Sequence, residues 1–137
     1  MSVVKELLRT EADGTISFGN YELDQKAKLS DFEHEGDLYK VKTFREITKL
    51  ERNGLLVYES VPGTAVTSFA EDGNGVSFVV EGTADVQVTL GLEEDTVYKV
   101  TLDGVDSGCV KTNMGGKLVL SVEIGDSGRV AVKVVRQ

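Results

Sequence analysis

The sequence predicts an all-β protein, an antiparallel β-sandwich of roughly ten to twelve short strands with little helix. Three observations predict it. From Val86 to Val135 apolar residues fall at every second position, through VQVTL, VYKVTL and KLVLSVEI to VAVKVV. That is the period of strands with one face on a core and one in water. Each run is closed by a glycine or aspartate turn, and most of the fifteen glycines sit between runs, against a single proline. The close, regular spacing of these turns belongs to a sandwich or a barrel.

A chain of 137 residues makes one domain over 1–137. At this size roughly two-thirds of the unfolded surface can be buried without metal or disulfide staples. Hydrophobic and charged contents of 40% and 28% are those of an ordinary globule. The net charge of −8 is spread along the chain, with no run of Lys and Arg. Phosphate backbones and anionic lipid would repel such a chain, so neither nucleic acid nor a membrane is an expected partner. Cys109 has no internal disulfide partner and reads as a small hydrophobe on a strand. Lys5 and Glu6 interrupt any early signal-like run, and no window approaches the roughly 18 apolar residues of a membrane helix. The expected location is cytoplasmic.

Val3 to Thr10 suits either one face of a helix or a strand. The Ala12-Asp13-Gly14 turn and the alternating Thr15-Ile16-Ser17-Phe18 beyond it favour a strand hairpin. Tyr21 and Leu23 continue the alternation after Gly19-Asn20. Asp24 to Asp37, DQKAKLSDFEHEGD, is the most polar stretch, broken only by Ala27, Leu29 and Phe32, and reads as a surface loop with one or two anchoring side chains. Leu38 to Phe44 alternates as a strand, and Ile47 to Glu51 continues as a strand or a short helix. Arg52-Asn53-Gly54 is a tight-turn signal, because Asn-Gly tolerates the positive φ a two-residue hairpin demands; Leu55 to Glu59 returns. Ser60-Val61-Pro62-Gly63-Thr64 is the expected crossing between sheets. Ala65 to Phe69 and Val76 to Glu81 are two more strands, joined by Glu71 to Gly75, and the opening run follows Gly82.

Within GLEEDTVYKV, Leu92 and Tyr98 flank a bend before a Val-x-Val strand. This resembles the corner of fibronectin type III and immunoglobulin-like sandwiches, with Glu94 where the family usually has proline. The resemblance implies structural roles for Leu92 and Tyr98, the tyrosine hydroxyl bonding backwards to the backbone. The expected sandwich is thus immunoglobulin-like or a jelly roll. TLDGVDSGCVKTNMGGKLVLSVEI also resembles hairpins of accessory β-sandwich modules in bacterial polysaccharide-degrading enzymes. GDLYKVKTF and VYESVPGTAV resemble a small family of stand-alone bacterial proteins without assigned activity, some labelled endosialidase. A sialidase would need an arginine triad and a tyrosine nucleophile. None of Arg9, Arg45, Arg52, Arg129 and Arg136 lies in a matching motif.

Imidazole and carboxylates cluster only at Glu33-His34-Glu35-Gly36-Asp37. Alternate ligands there could hold a divalent cation, but the spacing fits neither a calcium loop nor a zinc signature. His34 reads as a solvated residue, and no metal or cofactor is expected. Glycosidase chemistry needs two acids across a cleft. Asp37 and Glu59, beside Tyr39 and Tyr58, are the candidates for it, against a simpler reading as outward-facing strand ends. Sugar binding would need Tyr21, Tyr39 and Tyr58 on one exposed face. The glycines at 63, 73, 75, 115 and 116 read as hairpin turns and form no phosphate cradle. The favoured expectation is a non-enzymatic binding or assembly module acting through a sheet face or edge. Its partner would be itself or another protein, with carbohydrate as the alternative ligand. The candidate binding residues are His34, Asp37, Tyr39, Tyr58 and Glu59.

Overall fold

The structure, a computed structural model, describes residues 3–137. Its thirteen strands lie in two antiparallel sheets, with no helix among the described residues. β1 (Leu8–Thr10) and β2 (Ile16–Phe18) form a first hairpin. β3 (Ala27–His34), β4 (Asp37–Phe44), β5 (Ile47–Arg52) and β6 (Leu55–Val61) form a meander, and β7 (Ala65–Asp72) and β8 (Gly75–Glu81) a second hairpin. β9 (Val86–Gly91), β10 (Val97–Leu102), β11 (Val105–Lys111), β12 (Lys117–Val122) and β13 (Arg129–Arg136) complete the chain.

The seven-stranded sheet runs β1-β2-β7-β8-β13-β10-β11 and the six-stranded sheet β12-β9-β6-β5-β4-β3. From β8 onward the chain changes sheet at nearly every step, and β13 returns to lie between β8 and β10. The two antiparallel sheets of a β-sandwich are thus tied together by repeated crossings of the chain. β1 and β3 lie against each other on one side, so β11 and β12, joined by the turn at 112–116, form the opposite side.

The alternating apolar residues face inward as one cluster from Leu8 to Val134. At its centre four rings close a cycle across the two sheets. Tyr58 packs edge-on against Phe18 and Phe78 at 5.3 and 5.5 Å, and Phe69 packs against the same two at 5.6 Å each. Each such pair adds about 0.5–1.5 kcal/mol beyond its buried area.

Four local expectations change. Residues 24–37 are not a loop, because β3 occupies most of them. Ala27 and Leu29 turn inward, a bulge follows with Asp31 at φ +58°, and Phe32 and His34 then turn inward. The bulge slips the apolar phase by one residue, so the strand's alternation cannot be read along the chain. In the first segment only Leu8–Thr10 is strand, since Leu7 has φ +76° and breaks the extension. Tyr21 and Leu23 lie outside any strand, although Tyr21 is buried. Cys109 is exposed on the edge strand β11, where it packs as no part of the core.

Two of the sheet crossings, β9 to β10 and β6 to β7, are fastened by side chains. Between β9 and β10, the Tyr98 hydroxyl accepts from the Glu93 amide at 3.2 Å, and Thr112 Oγ1 donates to the Glu93 carbonyl at 2.7 Å. The tyrosine bonds back five residues along its own chain, the geometry implied by the corner motif. Tyr98→Phe should therefore cost about 1 kcal/mol, one net hydrogen bond, measurable as a lower urea midpoint with unchanged slope. An unchanged midpoint would remove that role.

Between β6 and β7 the chain passes through a cis Val61-Pro62 bond and Gly63. Gly63 is no hairpin glycine: a Cβ there would stand 1.9 Å from the Phe44 carbonyl oxygen, because the crossing is pressed onto the turn between β4 and β5. A buried hydroxyl network lies beneath it. Thr43 Oγ1 accepts from the Asn20 amide and meets Thr48 Oγ1 at 2.8 Å. Thr48 Oγ1 donates to the Thr64 carbonyl and accepts from the Thr64 amide. Thr64 Oγ1 in turn meets both the Tyr58 hydroxyl and Ser60 Oγ at 2.8 Å.

The cross-strand register also groups charge that the linear sequence scatters. Lys28 stands opposite Lys42, and Lys42 opposite Lys49, a lysine row across β3, β4 and β5. The absence of a basic run in the sequence thus conceals a basic row on the sheet. Like charges in direct opposition are unfavourable, and Glu51, 3.7 Å from Lys49, relieves only one end.

Candidate functional site

Several tight turns gather at one end of the sandwich. Asn53-Gly54 has the two positive φ values, +52° and +82°, of a two-residue hairpin. Glu35-Gly36 has the same geometry, at +51° and +86°, with a weaker sequence signal because glutamate is not a usual left-handed residue. The Asp13-Gly14 turn and the end of β7 close the ring. Between them opens a cleft of about 360 Å³ lined by Asp13, His34, Asp37, Tyr39, Arg52 and Glu71, with Ile16 and Phe69 as its apolar part.

The turns decide which side chains enter. His34 ends β3, with its ring Nδ1 3.1 Å from Thr10 Oγ1 of β1 and Nε2 3.0 Å from the Glu35 carboxylate. Its side chain is only 10% exposed and edge-on to Tyr39, so it is a clasp between β1 and the β3–β4 hairpin and not a solvated residue. Asp37 accepts from Asn53 Nδ2 at 2.9 Å, while Asn53 Oδ1 accepts from the Leu38 amide, joining two neighbouring turns. Asp13 accepts from both the amide and the hydroxyl of Thr15, which hold its carboxyl below the usual range. Arg52 is ion-paired with Glu71 across the cleft. Burial works against its charge, and the bonds to Glu71 and then Tyr39 outweigh that, raising its pKa.

The cleft brings together three of the five candidates, His34, Asp37 and Tyr39. Arg52 joins them from the neighbouring β5, opposite Tyr39, Glu71 from β7 and Asp13 from the first turn, and the fold places them there. Tyr58 lies elsewhere. It is fully buried, and burial pushes its hydroxyl up to about 12, so it is a neutral core group bonded to Thr64. Glu59 stands on the outer face of the six-stranded sheet, opposite Lys49 and Thr89, so it and Asp37 do not flank one cleft. Tyr21 and Tyr39 are buried as well, and the exposed tyrosine face needed for sugar stacking is not formed. Among the described residues no group of three His, Cys, Asp or Glu side chains is placed to hold a metal ion.

Chemically the cleft is acid-rich, but its acids are engaged within the chain: Asp37 by Asn53, Glu71 by Arg52, Glu35 by His34 and Asp13 by Thr15. A glycosidase acid needs an environment that keeps one carboxyl protonated. At Asp13 the hydroxyl and amide of Thr15 do the reverse.

A second feature lies on the opposite side, at the sheet edges. A free strand edge is a template for another strand unless it is shortened, bulged or charged. β1 has three residues; β3 carries the Asp31 bulge; β11 has a register break opposite Lys99/Thr101 and a turned Gly108 at φ +95°. β12 has neither a bulge nor a register break, and its one charged residue, Lys117, stands at its first position. It runs six residues in unbroken register with β9 and presents Lys117, Val119 and Ser121 outward. Val119 is 49% exposed, and Met114, in the turn leading into β12, is 86% exposed. No helix among the described residues is long and apolar enough to cross a membrane. No family model matches this chain, and neither a curated protein nor a solved structure matches it.

Proposed function

We propose that the protein is a non-enzymatic assembly module that joins other protein molecules by adding a strand at β12. The observation that carries this reading is the contrast among the four sheet edges: three are blunted and β12 is open. Main-chain hydrogen bonds supply affinity in such strand addition, and alternate side chains supply selectivity. The acid cleft is read as a clasp of hairpin turns, since its polar groups bond one another.

A second copy is the direct probe, because its own β12 is equally open. Sedimentation should show a reversible species heavier than the 14.8 kDa chain as concentration rises. Val119→Lys should return it to the single chain. The side chain points outward, so the fold should survive, and a lysine at mid-edge is a device that blocks pairing. A chain that stays single at millimolar concentration, or an association indifferent to Val119→Lys, overturns the reading.

A further inference from the structure

We propose that two copies close on each other through β12 about a twofold axis at Leu120, setting Val119 against the partner's Ser121 and Lys117 beside the partner's Glu123. The proposal rests on the strand-addition reading above and specifies its partner, symmetry and register.

The register follows from which backbone groups are free. The Lys117 amide donates to Asn113 Oδ1 at 3.0 Å, and the Lys117 carbonyl accepts from the Asn113 amide at 3.1 Å. Both groups of Lys117 therefore point away from β9 and are already bonded. The Gly116 carbonyl, one residue earlier, accepts from Leu92 beyond the end of β9. In an antiparallel ladder alternate residues bond to opposite sides. Leu118, Leu120 and Val122 thus bond to β9, while the amides and carbonyls of Val119 and Ser121 face the open side. Those four groups are the free edge.

An added β12 must keep its apolar residues on the core face, and a one-residue slip would turn them to water. Only pairings about a residue, and not between residues, meet that condition. A twofold at Val119 would set Ser121 against the partner's Lys117, whose groups are taken by Asn113. A twofold at Ser121 would set Val119 against Glu123, which lies beyond the strand. A twofold at Leu120 pairs Val119 with the partner's Ser121 and Ser121 with the partner's Val119, using all four free groups in each copy. The same register carries Lys117 toward the partner's Glu123 twice. Neither side chain has an ion pair within the chain among the described residues.

Closure follows as well. The pairing is isologous and consumes the one open edge of each copy, so assembly stops at two chains. Of the seven large apolar residues exposed among the described residues, four, Val97, Val105, Met114 and Val119, belong to this side of the sandwich.

The test is a charge exchange measured by sedimentation equilibrium at low salt. K117E and E123K each replace two attractions by two repulsions and should weaken the dimer about tenfold. The double variant K117E/E123K should recover to within about threefold of the parent. High salt should compress these differences. Hydrogen exchange supplies a second readout: on dimerisation the Val119 and Ser121 amides should slow, while those of Lys117 and Glu123 should not. Association that is sensitive to V119K but indifferent to the charge exchange, or that slows Glu123, overturns the register and leaves strand addition standing. Growth beyond two chains overturns the closed symmetry. Association indifferent to V119K overturns the strand-addition reading itself.

Discussion

Replacing Thr48 by valine should destabilise the protein by about 3 kcal/mol or more, although valine has nearly the same shape. Thr48 Oγ1 has one proton and two acceptor sites, and all three are used. The proton goes to the Thr64 carbonyl; the Thr64 amide and Thr43 supply the two donors. Since Thr43 accepts from the Asn20 amide, the protons run one way, from Asn20 through Thr43 and Thr48 to Thr64. Thr43, Thr48 and Thr64 are all buried, so no solvent replaces a lost partner. Thr48→Val strands an amide, a carbonyl and a hydroxyl at once, at about 1–3 kcal/mol for each unsatisfied group, less where neighbours relax. Thermal or urea unfolding checks this, with Thr48→Ser, which keeps the hydroxyl, expected to lose about 1 kcal/mol. If valine and serine unfolded together, the hydroxyl network would not be what holds the crossing.

Gly63→Ala should cost about as much for a different reason. The added methyl would lie 1.9 Å from the Phe44 carbonyl oxygen and 3.2 Å from the Arg45 carbonyl carbon, both backbone. No side-chain rotation relieves that overlap, so the crossing must lift off the β4–β5 turn, breaking the 2.9 Å bond from the Gly63 amide to the Arg45 carbonyl. The expected loss is about 3 kcal/mol, at the upper end of overpacking costs. Gly73→Ala is the control, because nothing lies within 4 Å of a Cβ there; it should stay within about 0.5 kcal/mol of the parent. Equal midpoints for the two alanine variants would refute the close approach. Gly63→Ala displaces Thr64, which the network grips, so combining it with Thr48→Val should cost less than the sum of the two.

These two sites show how unevenly the fold could be read. Pro62 and Gly63 marked a crossing in the sequence, and the crossing is there. The hydroxyls beneath it gave no signal, because Thr43, Thr48, Ser60 and Thr64 look like ordinary strand residues until two sheets meet over them. The candidate site divided in the same way. His34, Asp37 and Tyr39 are close in sequence and reach one cleft. Arg52 and Glu71, which close that cleft, could not be attached to it before the strands were placed.

By itself the sequence determined what is local. Alternation at period two specified most strands from β4 onward, with β5 left between strand and short helix, and Asn-Gly and Asp-Gly specified hairpins, because side-chain direction and positive φ are properties of a few neighbouring residues. Tertiary structure decided everything that depends on who lies beside whom. It hid β3 behind a bulge, buried all the tyrosines proposed for a sugar face, and aligned Lys28, Lys42 and Lys49 into a row. It also made β12 an edge. KLVLSV reads the same in the middle of a sheet as at its border, because period two reports only the face a side chain takes. Whether the backbone has a second neighbour is settled by pairing across the whole chain.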